Sequence, residues 1–200
     1  MSQRIENLDE IYVKVWDLLQ QGAESGKSDF HFTYLSTIAG KYPRVRTVVL
    51  RKVLRENRAL LIHTDKRSSK VEEIENNKFV SLLFYSKDDK IQIRIEGEAI
   101  IHNDGYLFEK QWSESKPLSR RCYLIEPGPG ASVKEPISGI PEELKDRAPT
   151  EAETGPGKEN FRVIEIHAKF IEWLNLHSEG HIRAKFDLDK NSYQAGWLIP

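Results

Sequence analysis

The sequence predicts a mainly β (α+β) fold: an antiparallel β-barrel of about six to eight strands with helices packed on its outside. Three observations predict it. Segments with period-two alternation recur along the chain, only one long amphipathic helix pattern is present, and no strand–helix–strand alternation of the parallel-sheet kind appears. The chain has 200 residues, 38% of them hydrophobic and 10% aromatic, enough for one sizeable core and too few to favour two full-sized domains. A single domain over residues 1–200 is therefore expected.

The elements follow in order. Leu8, Ile11, Tyr12, Val15, Leu18 and Leu19 recur at helical spacing, with Asp9, Glu10 and Lys14 on the other side, predicting an amphipathic helix from about Leu8 to Gln21. The run GAESGKS ends it, and Phe30, Phe32 and Tyr34 then alternate with His31 and Thr33 as a first strand. In VRTVVLRKV both faces carry apolar residues, which predicts a strand covered on two sides. ALLIHT, FVSLLFYS and KIQIRIEGEAII are three further strands, the last with Ile91, Ile93 and Ile95 on one face and Gln92, Arg94 and Glu96 on the other. Between the first two of these, SSKVEEIENN reads as a short helix, opened by a capping serine. A helix follows from Asn103 to about Ser115, and another runs from Pro117 towards Leu124. Residues 127–158, rich in Pro, Gly and acidic side chains, read as a long surface excursion, because strand patterns resume at once in FRVIEIHAKFIEWL, HIRAKFDLD and QAGWLIP.

Composition narrows the function classes. Lys and Arg total 30 against 31 Asp and Glu, a net charge of −1, so no global positive field draws the chain to nucleic acid or to an anionic membrane. Any bound anion must be held by a local cluster. Cys122 is the single cysteine and permits no intrachain disulfide, the start MSQRIENLDE lacks a signal peptide's apolar core, and the apolar runs are far shorter than the roughly 20 residues that span a bilayer. A soluble, cytoplasmic protein is expected.

Three segments carry candidate chemistry. In HTDKRSSKVEEI, residues 63–74, a strand ends in hydroxyl and basic side chains as a helix begins, and Thr64, Ser68, Ser69 and Lys70 with the backbone N–H groups of the helix start suit a phosphate. A capped, solvated turn has the same composition. In PRVRTVVLRKV, Arg46 has the planar fork that grips a phosphate, while Arg51, at odd spacing, is expected on the opposite side of the ribbon or past its end; two surface arginines on an edge strand are the alternative. In IQIRIEG, the amide of Gln92 both donates and accepts, matching a ring edge that displays N–H and C=O groups, although a strand glutamine facing solvent reads identically.

Together these segments, RTVVLR, HTDKRSSK and QIRIEG, resemble in order and spacing the R-x-V-x-L-K, Y-T-x-x-x-S-x-K and Q-V-R-x-E-G motifs of the pyridoxamine 5′-phosphate oxidase family of FMN-binding split barrels. The similarity extends from about Trp16 to the end, through FTYLSTIAG, FVSLLFY and a final LIP. The resemblance implies FMN as cofactor, with Arg46, Ser68 and Lys70 on its phosphate. It places His63 and Thr64 near the ribityl chain, Gln92 beside the ring, and the backbone of Thr47, Val48, Val49 and Leu50 along the isoalloxazine, with Arg51 and Ser69 also counted among the cofactor-binding residues. It also implies a homodimer with FMN at the subunit interface.

Departures concern the substrate more than the cofactor. Arg51 stands for the oxidase lysine, His63 for the tyrosine, and Ser69 for the arginine before Lys70. The oxidase run Tyr-x-x-x-Arg-Pro-x-x-Ser becomes WSESKPLSR, where Trp112, Lys116 and Arg120 are the candidates, with Arg51, for binding an anionic substrate. The oxidase Arg-x-His pair appears reversed as HIR, His181 to Arg183. The implied function is an FMN-dependent oxidoreductase, related to the oxidase, that transfers a hydride from a small anionic substrate; the alternative is a non-catalytic protein that binds or senses flavin or haem on the same fold. His177 and His181 fall in a turn with no evident third metal ligand, so no metal site is expected. The four tryptophans read as core or interface anchors, with Trp173 or Trp197 candidates to line a flavin pocket, and Cys122 reads as structural.

Overall fold

The computed structural model describes residues 5–189 and 192–200, so the first four residues of the N-terminal reading lie outside it. Eight strands form one antiparallel sheet: β1 (Phe32–Ala39), β2 (Tyr42–Leu54), β3 (Ala59–Asp65), β4 (Phe79–Ser86), β5 (Ile91–His102), β6 (Phe161–Asn175), β7 (Ile182–Leu188) and β8 (Tyr193–Leu198). Their order is β3-β2-β1-β4-β5-β6-β7-β8, and an additional β3–β6 pairing closes the first six into a barrel, leaving β7 and β8 as an extension. Helices α1 (Leu8–Glu24), α2 (Ser69–Asn76), α3 (Gly105–Glu114), α4 (Pro117–Arg120) and α5 (Glu151–Thr154) interrupt the strands. This is the antiparallel split barrel with flanking helices that the alternation predicts.

The residues cluster into two compact units. Among the described residues the first comprises 5–62, 77–100, 165–189 and 192–200, and the second comprises 63–76 and 101–164.

In the first unit, Asn7 caps α1 by accepting from the Glu10 N–H at 3.1 Å, and the helix buries Ile11, Val15, Trp16, Leu18 and Leu19. Tyr12 of α1 stacks on Tyr193 at 4.1 Å between centroids, and the Tyr193 hydroxyl donates to Asp9 at 2.5 Å. That hydrogen bond to a carboxylate, assisted by burial, pushes the Tyr193 phenol up to about 12.

Alternation holds along β5, where Ile91, Ile93 and Ile95 fill the core. Gly97 comes next in that strand. A Cβ there would lie 2.3 Å from the His167 carbonyl oxygen on β6, so the glycine is what allows the two backbones to approach.

Two expectations are corrected in this unit. Phe30 belongs to a 3₁₀ turn, residues 29–31, capped by Ser28, and in β1 the parity is the reverse of the aromatic one: Thr33, Leu35 and Thr37 face the core while Phe32 and Tyr34 are half exposed. Thr33 is tolerated inside because its hydroxyl donates to the Leu83 carbonyl at 3.0 Å. The strand β2 is not covered on two sides in the single chain: Val45 is 63% exposed and Tyr42 more so.

In the second unit, Phe161 is the centre of a ring cluster with His63, Phe108, Trp112 and Tyr123, at centroid distances of 4.8–5.4 Å. The 127–158 segment has more structure than a plain excursion. It contains 3₁₀ turns and α5, whose capping box joins Thr150 to Glu153, and it buries Leu144, Thr154 and Gly157. Arg147 and the Thr150 bonds draw the half-buried Glu153 carboxyl down to about 2, with Arg147 the larger influence.

Candidate functional site

The turn from β3 into α2, all in the second unit, brings together three of the residues singled out for a phosphate. Lys70 Nζ donates to Ser68 Oγ at 2.5 Å and to Thr64 Oγ1 at 3.1 Å. An ammonium bridging two hydroxyls at the first turn of a helix, where the leading N–H groups have no intrahelical acceptor, is an arrangement of donors with positive potential. Ser69 is the exposed first residue of that helix. Thr64 is buried, and Ser68 and Lys70 are half-buried, so the donors sit where part of the solvent screening is removed.

The shape of the turn is set by residues that sequence reasoning did not single out. Asp65, 7% exposed, accepts from the Arg67 backbone N–H at 2.8 Å and from its guanidinium at 3.0 and 2.8 Å. Arg67 also donates to the Ile125 carbonyl at 3.0 Å and to Glu126 at 2.8 Å. The Asp65 carboxylate, more than Glu126, holds the Arg67 guanidinium above its ordinary value and so permanently charged. Gly128 completes the arrangement, since a Cβ there would lie 2.9 Å from Arg67 Nε. On the other side, the Lys66 N–H donates to the Asn160 carbonyl at 2.7 Å and Lys66 Nζ pairs with Glu159 at 2.7 Å. The only sequence signal for this scaffold was the density of charge in TDKRSSK.

His63, at the end of β3, lies at 3.1 Å from Gln111 Oε1 through Nε2 and edge-on to Phe161. Gln111 is itself buried and donates to Glu114 at 3.1 Å, which orients the amide oxygen towards the imidazole. Gln111 was not among the candidates.

Trp112 and Arg120, expected to face an anionic substrate, are both buried. Arg120 Nε and Nη2 donate to the Trp112 carbonyl at 3.1 and 2.8 Å, Nη2 also reaches the Ser113 carbonyl at 3.1 Å, and the guanidinium lies over the Trp112 ring at 4.8 Å. Arg120 thus caps the C-terminal end of α3, where helix carbonyls lack partners and a cation is favoured. Lys116 remains exposed.

The other candidates belong to the first unit. On β2, Arg46 Nη1 donates to Thr37 Oγ1 and, at 3.2 Å, to the Arg44 carbonyl; Thr47 is exposed, Val48 and Val49 are half-buried, and Leu50 is fully buried, leaving only its backbone for a ligand. Arg51 is exposed and sits in a β-bulge between Leu50 and Lys52, which breaks the parity that placed it opposite Arg46. Gln92 lies half-buried on β5 opposite Tyr85. In the sheet, β1 and β4 separate β2 from β5, so Arg46 and Gln92 stand on strands that are not neighbours. Trp173 is buried and Trp197 is exposed. Among the described residues no group of three or more His, Cys, Asp or Glu side chains is arranged to hold a metal ion, and no helix is long and apolar enough to cross a membrane.

Residues 13–103, which carry the β2 arginines, the Lys70 turn and Gln92, match the family model described as pyridoxamine 5′-phosphate oxidase, FMN-binding domain. Over these residues the chain is similar to the FMN-binding domain of the pyridoxamine 5′-phosphate oxidases. The chain is also similar to the pyridoxine/pyridoxamine 5′-phosphate oxidase 2 of Arabidopsis thaliana, 27% identical over 176 residues, covering 82% of this chain and 85% of that protein. The fold is also that of an oxidase-related, FMN-binding protein from Nostoc punctiforme, with a TM-score of 0.70 at 19% identity over 94% of this chain and 96% of that one. PhzG from Burkholderia lata, solved with tetrahydrophenazine-1-carboxylic acid, has a TM-score of 0.66 at 16% identity over 98% of this chain and 94% of that one. At these identities the two structures speak for the split-barrel fold alone.

Proposed function

We propose that this chain is an FMN-dependent oxidoreductase that takes a hydride from a small anionic substrate. The observation that carries the reading is the Lys70 ammonium bridging Ser68 and Thr64 at the start of α2, inside the matched domain. The donor set fits a terminal phosphate dianion: one fixed cation, two hydroxyls and a helix start, each charge-assisted bond contributing roughly 1.5–3 kcal/mol. When bound, FMN supplies the hydride-accepting ring.

The chain's own residues bind and orient. Ser68, Ser69 and Lys70 hold phosphate, with Arg46 a further phosphate ligand by family resemblance. Thr64 and His63 lie along the ribityl chain, the Gln111 amide fixing the imidazole. The Gln92 amide donates and accepts at the ring edge, and the backbone of Thr47 to Leu50 borders the ring. Arg51 and Lys116, both exposed cations, are the proposed contacts for the substrate's charge.

A cytoplasmic homodimer is part of the proposal. Phe32 and Tyr34 of β1, Val45 of β2 and Phe79 of β4 are each at least half exposed on three neighbouring strands. A contiguous apolar surface of this kind marks an interaction site, and a second copy would cover it. Light scattering on the purified protein is expected to give twice the chain mass; a monomer across the micromolar range would exclude this assembly.

The reading is tested by the cofactor itself. The purified protein is expected to be yellow and to release FMN on denaturation, because the donors suit a terminal phosphate monoester. Recovery of haem, or failure of FMN to bind the refolded apoprotein, would remove the flavoenzyme reading and leave the binding or sensing alternative.

A further inference from the structure

A second cationic construction lies in the first unit, on the outer face of β5, β6 and β7. Alternation turns Gln92, Arg94 and Glu96 outward on β5. On β6 and β7, Ile171, Trp173, Ala184 and Phe186 fill the core and leave Glu172 and Arg183 on that same outer side. Glu172 is nonetheless only 4% exposed, because two guanidiniums cover it: Arg94 Nη2 donates to its Oε2 at 3.0 Å and Arg183 Nη2 donates to the same oxygen at 2.8 Å.

Two features of this cluster point to a ligand. First, two guanidiniums share one buried carboxylate, and the second carboxylate near Arg94, that of Glu96, is more than half exposed and screened by solvent. Second, the Nε of each arginine is buried without a hydrogen-bond partner, although the two side chains remain 38% and 31% exposed. Glu96 does not complete the set: its Oε1 is 3.6 Å from Arg94 Nε, beyond hydrogen-bond distance, on a side chain that is 54% exposed. The remaining cation nearby, Lys185, is paired with Asp187 at 2.8 Å. The Phe170 ring, 5.8 Å from the Arg94 guanidinium carbon, supports that planar group. A guanidinium recognises a planar oxyanion with two parallel donors, and here Glu172 uses one Nη corner of each fork.

We propose that Arg94 and Arg183, held by Glu172, form a binding site for the oxyanion group, carboxylate or phosphate, of a small organic anion. As the substrate site of a flavoenzyme it rests on the function proposed above; as an anion site it does not. Glu172 is then a positioning residue, and it keeps the two guanidiniums from separating in the absence of ligand.

The test is isothermal titration of the purified protein with benzoate and with phenyl phosphate, each with and without added FMN. The wild type is expected to bind at least one probe, and its preference distinguishes carboxylate from phosphate as the natural group. Arg94→Leu and Arg183→Leu should each weaken binding by about tenfold or more. Lys185→Leu, which removes the same charge from the same strand as Arg183, should stay within about twofold, since its partner is Asp187. Arg183→Lys keeps a cation beside Glu172 without the fork, guards against a leucine variant that fails to fold, and should fall between wild type and Arg183→Leu. Binding of neither probe by the wild type, or equal binding by the wild type and both leucine variants, would overturn the assignment. Failure to bind FMN defeats the flavoenzyme reading and leaves these titrations readable.

Discussion

Phe161→Ala is expected to destabilise the protein by about 3–5 kcal/mol, the range for removing a fully buried phenylalanine and leaving a cavity. The residue has no solvent exposure, and its ring is in contact with the side chains of His63, Phe108, Trp112 and Tyr123, which come from β3, α3 and the turn after α4. No single neighbour fills the space left by the ring, because each is held elsewhere: Trp112 by Arg120 and His63 by Gln111. Collapse around the cavity is therefore limited, and the upper half of the range is the expected outcome. Urea unfolding at constant slope measures it; a loss below about 1 kcal/mol would mean that the ring cluster repacks freely. Phe161→Leu, which retains much of the volume, should lose much less.

Lys70→Ala is expected to weaken FMN binding by about 1.5–3 kcal/mol, roughly a tenfold to 150-fold rise in Kd, with little change in folding. Lys70 lies half-buried in the first turn of α2 and is not one of the core residues. The ligand depends on it, because the ammonium is the fixed charge that Ser68 and Thr64 hold in place. Flavin fluorescence titration, with circular dichroism on the same samples, separates the two effects. Unchanged affinity in a folded variant would place the phosphate elsewhere. Lys70→Arg is a useful companion: it keeps the charge but replaces a compact donor with a planar fork, and should recover only part of the affinity.

The alternation that makes β5 readable from sequence arises because one face must enter the barrel, and Ile91, Ile93 and Ile95 leave no choice of parity. In β1 the same rule was ambiguous. Phe32 and Tyr34 are the more apolar set, yet Thr33, Leu35 and Thr37 go inside, since a hydroxyl that finds a carbonyl is tolerated there and the outer aromatics have a surface of their own. The bulge at Arg51 has no glycine or proline to announce it, so the side to which that arginine turns was not legible.

The cradle turn was legible because its residues are contiguous, whereas its support was not. Arg67 and Ile125 are 58 positions apart, and nothing in either segment names the other. Arg120 shows the same limit in another form. A cation eight residues after Trp112 reads as an anion-binding side chain until the carbonyls at the end of α3 are seen to occupy it.

The contact between Gly128 and Arg67 changes what the 127–158 segment means for the protein. The Ile125 carbonyl and the Glu126 carboxylate hold one side of the Arg67 guanidinium, and Gly128 lies close enough to leave no room for a methyl group. Arg67 in turn grips Asp65, which shapes the entry into α2. A protease nick or an inserted residue near Gly128 is therefore not confined to the surface: it unlatches an arginine, and the backbone three residues before Lys70 loses its brace.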